Sequence, residues 1–167
     1  MTPSGLKIQG AGMPPFLLDE CTQTLETLAL GGLHRTVNGQ LIYTGWEGIV
    51  KYKSHCTGKG KMAPGLAKLK RGHAVGVDCI QRLWQEALTT SMTLSRPAVQ
   101  ATLLVMDRDR RSVPFRQISP TQLEWEAGTG PVYVSYCPHL QMRVVDMGFK
   151  ITEWEGASVW WLNLEEV

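Results

Sequence analysis

Cysteine and histidine offer this chain its widest chemistry. It carries Cys21, Cys56, Cys79 and Cys137 together with four histidines, of which His55 adjoins Cys56 and His139 stands two residues beyond Cys137. Such residues serve a disulfide framework, a zinc site, or a thiolate activated by an imidazole. An even cysteine count suits bridging. The N-terminus MTPSGLKIQGAGMPP, however, has no charged region followed by an apolar stretch, so reduced thiols are the expectation. Structural zinc sites usually draw on tight Cys-x-x-Cys pairs, and the sequence holds none. Neighbouring side chains on a strand point to opposite faces, which keeps His55 and Cys56 from forming a dyad. Cys79 falls on the Val75, Val77, Cys79 face of a strand, where a thiol behaves as a small hydrophobe. No metal and no cofactor is expected.

Acid–base catalysis needs carboxylates or imidazoles set against each other. The acids here are scattered, with local pairs only at Asp19-Glu20, Glu153/Glu155 and Glu165-Glu166, beside turns or at the end of the chain. G-x-S-x-G, H-E-x-x-H and G-x-G-x-x-G are all missing. The expectation is therefore a protein without catalytic residues, not an enzyme.

Basic residues are more concentrated. Between Lys51 and Val77 stand Lys51, Lys53, Lys59, Lys61, Lys68, Lys70 and Arg71, with no acid among them. A loop of this kind can hold phosphate through ammonium charge and backbone N–H groups. Gly58-Lys59-Gly60-Lys61-Met62 lacks the spacer and the Ser or Thr of a phosphate loop. The alternative is a solvated hairpin whose lysines keep a strand edge from pairing with strangers. Tryptophan supplies a second set of candidates, since it is enriched where proteins meet. Trp154 lies beside a turn, and Trp160-Trp161 put one indole on each face of a strand. With Phe16 these are the candidate assembly residues.

The elements that must position these groups read as β-structure. A chain of 167 residues has room for one cored domain, and 43% hydrophobic residues is ordinary for a globular one. Apolar runs are short, far from the roughly 20 residues of a membrane helix, so no span is expected. Fifteen acids against seventeen bases are too balanced to declare a nucleic-acid binder. Seventeen Gly, nine Pro and only 19% charged residues suggest many turns and a surface that expects partners. Residues 1–15 read as an extended Gly/Pro arm with at most a short strand at Leu6–Gln9, and 16–167 as one β-barrel-like domain. Phe16–Leu30 leans to strand through Thr22, Thr24 and Thr27. Asn38-Gly39 marks a hairpin between Leu33–Val37 and Gln40–Tyr43. A strand over Trp46–Thr57 is expected to break at Gly58–Lys61, and Pro64–Leu69 offers a short helix. His73–Leu83 is extended. The middle, 84–128, is less decided. Trp84–Leu88 fits a strand end or a short helix, and Val99–Asp107 a strand. Asp107–Arg111 is a charged turn, and Val113–Ile118 an edge strand around Pro114. Val132–Tyr136, Leu140–Thr152 and Ser158–Glu166 are strands, the last two joined by a turn at Glu155–Ala157. On the last strand Trp160, Leu162 and Leu164 share one face. The fold class is mainly β, an antiparallel barrel or sandwich with one short helix.

The stretches RTVNGQLIY, KYKSHCTG and PGLAKLKRGHAVGVDCI resemble the N-terminal β-barrel pattern of small tailed-bacteriophage tail proteins: distal tail, tail-tube and baseplate ring proteins. The ending VYVSYCPHLQMRVVDMGFKITEWEGASVWWLNLEEV is similar to their closing hairpin. The resemblance covers Leu33–Leu83 and Pro131–Val167, while Trp84–Gly128 has no counterpart. It implies a virion component of the tail, made in the bacterial host cytoplasm and assembled as a six-fold ring around the DNA passage. Its partners would be copies of itself and neighbouring tail proteins, with non-specific contact to passing DNA, and it brings no catalytic residues. A head decoration or fibre-joining protein, or a small nucleic-acid-binding β-barrel using Lys51–Arg71, are the alternatives.

Overall fold

The computed structural model describes residues 5–11, 21–45, 48–60, 66–126, 130–152, 154 and 157–167. Among these residues fourteen strands follow one another: β1 Lys7–Gln9, β2 Cys21–Thr27, β3 Leu33–Arg35, β4 Leu41–Tyr43, β5 Tyr52–Gly60, β6 Ala74–Asp78, β7 Leu83–Ala87, β8 Ser91–Thr93, β9 Leu104–Met106, β10 Phe115–Ser119, β11 Gln122–Trp125, β12 Val132–Tyr136, β13 His139–Thr152 and β14 Ala157–Glu166. All sheet pairings are antiparallel. Helix among the described residues is confined to one 3-10 turn, Leu66–Lys68, within the segment expected to be helical. The mainly β expectation holds.

The largest sheet is a six-stranded half-barrel in the order β1-β6-β13-β14-β5-β2. Alternation along its strands builds the core. Val75 and Val77 from β6, Leu140, Met142 and Val144 from β13, Trp160, Leu162 and Leu164 from β14, and Cys56 from β5 all turn inward. The 3-10 turn closes this core with Leu66 and Leu69. β13 keeps its long pairing with β14 despite a register shift between Val144 and Asp146, a bulge that bends the strand.

Two expectations about the half-barrel are corrected. The short strand expected within Leu6–Gln9 forms as β1, but the segment does not stand apart as an arm: β1 pairs with β6, and Leu6, Ile8 and Ala11 are buried in the main core. Its apolar residues are too few to show a period, but Leu6 and Ile8 alternate with the exposed Lys7 and Gln9 as an edge strand requires. Nor does the chain break at Gly58: β5 runs on to Gly60. Gly58 stands opposite Trp160, whose indole occupies the space a Cβ would need, so glycine here serves close packing rather than a turn.

The middle of the chain makes its own packed unit. It leaves the half-barrel after Asp78 and returns at His139, which are register partners in β6 and β13. Between them the three-stranded sheets β7-β12-β9 and β10-β11-β8 enclose a second cluster that includes Val105, Leu123, Trp125, Val134 and Tyr136. Trp84–Ala87 falls on strand β7, and the edge strand expected over Val113–Ile118 starts only after Pro114, as β10 at a sheet edge. The strand expected over Val99–Asp107 shrinks to β9. The charged turn is held by Asp107 Oδ1, which accepts from the backbone N–H groups of Asp109 and Arg111 at 2.9 and 2.8 Å.

Candidate functional site

Because side chains alternate, the half-barrel's outer face is as ordered as its core. Three cross-strand rows cross it. Glu26, Lys53, Glu165 and Arg143 form a row of alternating sign; Thr24, His55 and Asn163 form the next; Thr22, Thr57, Trp161 and Gly148 the third. Lys53 Nζ contacts Glu26 Oε2 at 2.8 Å, and this hydrogen bond holds the Glu26 carboxyl below its ordinary range and lifts the lysine. His55 Nδ1 lies 2.5 Å from Asn163 Oδ1. Together the first two rows, Arg143 apart, line a shallow groove of about 350 Å³. Its charges are largely matched within the sheet.

The basic candidates are dispersed. Lys53 is committed to Glu26, Arg71 binds Asp146 at 2.7 Å, and Lys51 Nζ donates to the Val167 main-chain oxygen. Lys59 lies exposed on the outer face, and Lys68 and Lys70 are exposed around the 3-10 turn. Lys61 lies outside the described residues. The sequence cluster thus becomes several separate contacts.

The aromatic candidates part company too. Trp160 is the inward indole, 1% exposed and at the centre of the main core, so it belongs to packing and not to an assembly surface. Trp161 is outward and half-buried: its ring lies over Gly148, and its indole helps to lower the Asp146 carboxyl. Arg71 is the stronger influence on Asp146, and the two hold that carboxyl below its usual value. Trp154, near the tip of the β13–β14 hairpin, is 96% exposed, and Phe149 and Ile151 leading to it are exposed as well. Phe16 lies outside the described residues, as do Glu155 and Gly156 of the expected turn.

The thiols converge. Cys56 and Cys79 are buried in one core, with Cys21 packed against it, and Cys137 is buried where the chain returns to β13. None is bridged. Gln23 is the polar centre here. Its amide donates to Ser54 Oγ at 3.0 Å and accepts from the Ile80 and Gln81 N–H groups at 2.8 and 3.3 Å. Among the described residues no group of three or more His, Cys, Asp or Glu is placed to hold a metal ion. No helix among them is long and apolar enough to cross a membrane.

Surfaces that invite contact lie elsewhere, and sequence reading found only part of them. Among the described residues β1 and β2 have neighbours on one side only, leaving both margins of the half-barrel open. The β3–β4 hairpin is exposed at every strand position. Trp84 was unassigned, yet it stands exposed on the outer side of β7-β12-β9. The alternation Leu83, Gln85, Ala87 against Trp84, Glu86 was the available signal, obscured because the segment also suits a helical turn. No protein-family model, curated protein or solved structure matches the chain.

Proposed function

We propose that the chain is a non-enzymatic structural subunit of a phage tail or baseplate ring, of distal tail or adaptor type, acting through self-association. The observation that carries the reading is the half-barrel, whose marginal strands β1 and β2 have a neighbour on one side only among the described residues. Unpaired strand edges are adhesive, and a head-to-tail contact that closes on itself satisfies both at once. The exposed hairpin and the exposed Trp154 add apolar surface of the kind that association buries. The tail assignment rests on the resemblance of Leu33–Leu83 and Pro131–Val167 to tail ring proteins. N-terminal residues contribute to assembly as the edge strand β1. Lys68 and Lys70, exposed around the 3-10 turn, are the basic residues this reading offers to passing DNA.

Reconstruction of a particle containing the protein tests this directly. The expected result is density for the chain as a ring on the tail axis. Density on the capsid, or turnover of a defined substrate by the pure protein, overturns it.

A further inference from the structure

Exposed apolar side chains gather in two places with different chemistry. The first is the β3–β4 hairpin, where the register puts Leu33 and Tyr43, then Arg35 and Leu41, on one face. Leu33 is 65% exposed and Leu41 and Tyr43 are each 52% exposed, and no residue of the hairpin belongs to either core cluster. A lone two-stranded hairpin is marginal in water. This one gains by being covered.

The second place is the outer face of β7-β12-β9. Register partners set Trp84, Ser135 and Leu104 in one row and Glu86, Tyr133 and Met106 in the next. Trp84 and Leu104 are 59% and 48% exposed, with Ser135 fully buried between them. Arg82 fills that notch: its guanidinium donates to Ser135 Oγ at 2.8 Å, to the Ser135 carbonyl at 3.0 Å and to the Thr102 carbonyl. The result is two apolar flanks, Trp84 and Leu104, about the Arg82 guanidinium, beside an exposed carboxylate, Glu86. The hairpin is its complement, since residues 31–45 contain His34 and Arg35 and no acid.

We infer that the β3–β4 hairpin of one copy docks on the β7-β12-β9 face of a second copy, with Leu33, Leu41 and Tyr43 against Trp84 and Leu104 and with Arg35 beside Glu86. Arg35 is suited to both neighbours, because a guanidinium pairs with carboxylate and stacks on indole. Two hairpins facing each other would bring like charges together with no acid between them. The contact is heterologous: every copy gives a hairpin and receives one, so the series closes as a ring or continues as a filament. This deepens the ring reading and rests on self-association, not on the identity of the particle.

Sedimentation of the full-length protein and two surface variants tests it. The wild type is expected to self-associate, while Leu41→Asp and Trp84→Glu are each expected to be monomeric at the same concentration. An equimolar mixture of the two variants should form a one-to-one complex, because Leu41→Asp keeps an intact face and Trp84→Glu an intact hairpin. Circular dichroism checks that both are folded. As a second route, Arg35→Glu should weaken association roughly tenfold, and adding Glu86→Arg to the same chain should restore it. A wild type that is monomeric up to about 1 mM, the weak end of specific binding, overturns the docking. So does a variant mixture that stays monomeric. Association unchanged in both variants also overturns it, yet leaves β1 and β2 as the joint of a ring. A particle without this chain on its tail overturns the ring reading alone.

Discussion

Burial pushes the Cys56 thiol up to about 11 and the Cys79 thiol up to about 12, with nearby thiols adding a little in the same direction. In the unfolded chain both titrate near their ordinary value of about 8.5. Below that value both states hold the protons and stability is full. Between it and the folded values the unfolded state has lost protons that the native state keeps, so stability falls as pH rises. The slope is about 1.4 kcal/mol per pH unit for each thiol. Urea unfolding at pH 8, 9 and 10 should show the decline, and Cys56→Ala or Cys79→Ala should flatten it whatever it does to stability at pH 8. An unchanged slope would refute the burial argument. Native Cys56 and Cys79 should also resist alkylation that goes to completion in urea. A second test lies at Gly58, where a Cβ would come 2.5 Å from Trp160 Nε1. The indole is locked in the core, so Gly58→Ala should cost about 1–3 kcal/mol of unfolding free energy. At Gly148 the approach to Trp161 Cζ2 is closer still, but that ring borders solvent and can swing away. Gly148→Ala should therefore cost less than Gly58→Ala. The inward direction of Leu162 and Leu164 was legible from alternation. Which of the paired indoles joined them followed from the same period, whereas the use of Gly58 as a seat for Trp160 was not, since it depends on a contact about a hundred residues away.

Strands announced themselves where both a period and a stop were present. Val132–Tyr136, Leu140–Thr152 and Ser158–Glu166 have both, and they appear as β12, β13 and β14 with small shifts at their ends. β8 and β11 were missed because they are short, three and four residues, and polar neighbours hide their alternation. The Asn38-Gly39 hairpin forms as expected but with a different turn. Only Gly39 has positive φ, at +78°, and Thr36 N–H donates to the Gln40 carbonyl at 2.9 Å across a three-residue loop. That geometry is a type I turn followed by a left-handed glycine. Gly39→Val should strain it by about 1–2 kcal/mol. Because the hairpin stands outside both cores, the effect should be local: faster amide exchange over Leu33–Tyr43 with little change in the global unfolding midpoint. A large drop in that midpoint would mean the hairpin is coupled to the core. The opposite holds for β1. Removing the residues up to Ala11 deletes Leu6, Ile8 and Ala11 from the main core and exposes a side of β6. Such a truncation should destabilise the whole domain by several times the roughly 1 kcal/mol of a surface change.

At the scale of the molecule the two packed units meet through polar contacts as well as chain connections. Arg96, from the unit between β6 and β13, reaches Glu166 at the end of β14 with two nitrogens, donates to the Val50 carbonyl at 2.6 Å and lies over the Tyr52 ring. Glu166 also accepts from the Tyr52 backbone N–H at 3.0 Å, and its side chain is only 7% exposed. The hydrogen bond that Arg96 donates to Glu166 raises the guanidinium above its ordinary value. His139 N–H to the Pro97 carbonyl, 2.8 Å, completes the seam. None of this was readable in sequence, because 70 residues separate Arg96 from Glu166 and no local pattern marks either. Arg96→Ala leaves a buried carboxylate with a single backbone donor, at a cost of about 2–3 kcal/mol. Since each unit keeps its own apolar cluster, the loss should loosen the seam before it unfolds either unit. Amide exchange is expected to quicken at Tyr52 and His139 while Val77, Val134 and Leu162 keep their protection. Arg96→Lys should recover only part of the effect, because one ammonium cannot serve Glu166 from two sides and reach Val50 as well. Uniform loss of protection through both clusters would show that the two units unfold as one, and that the Arg96 contacts are part of a single cooperative core.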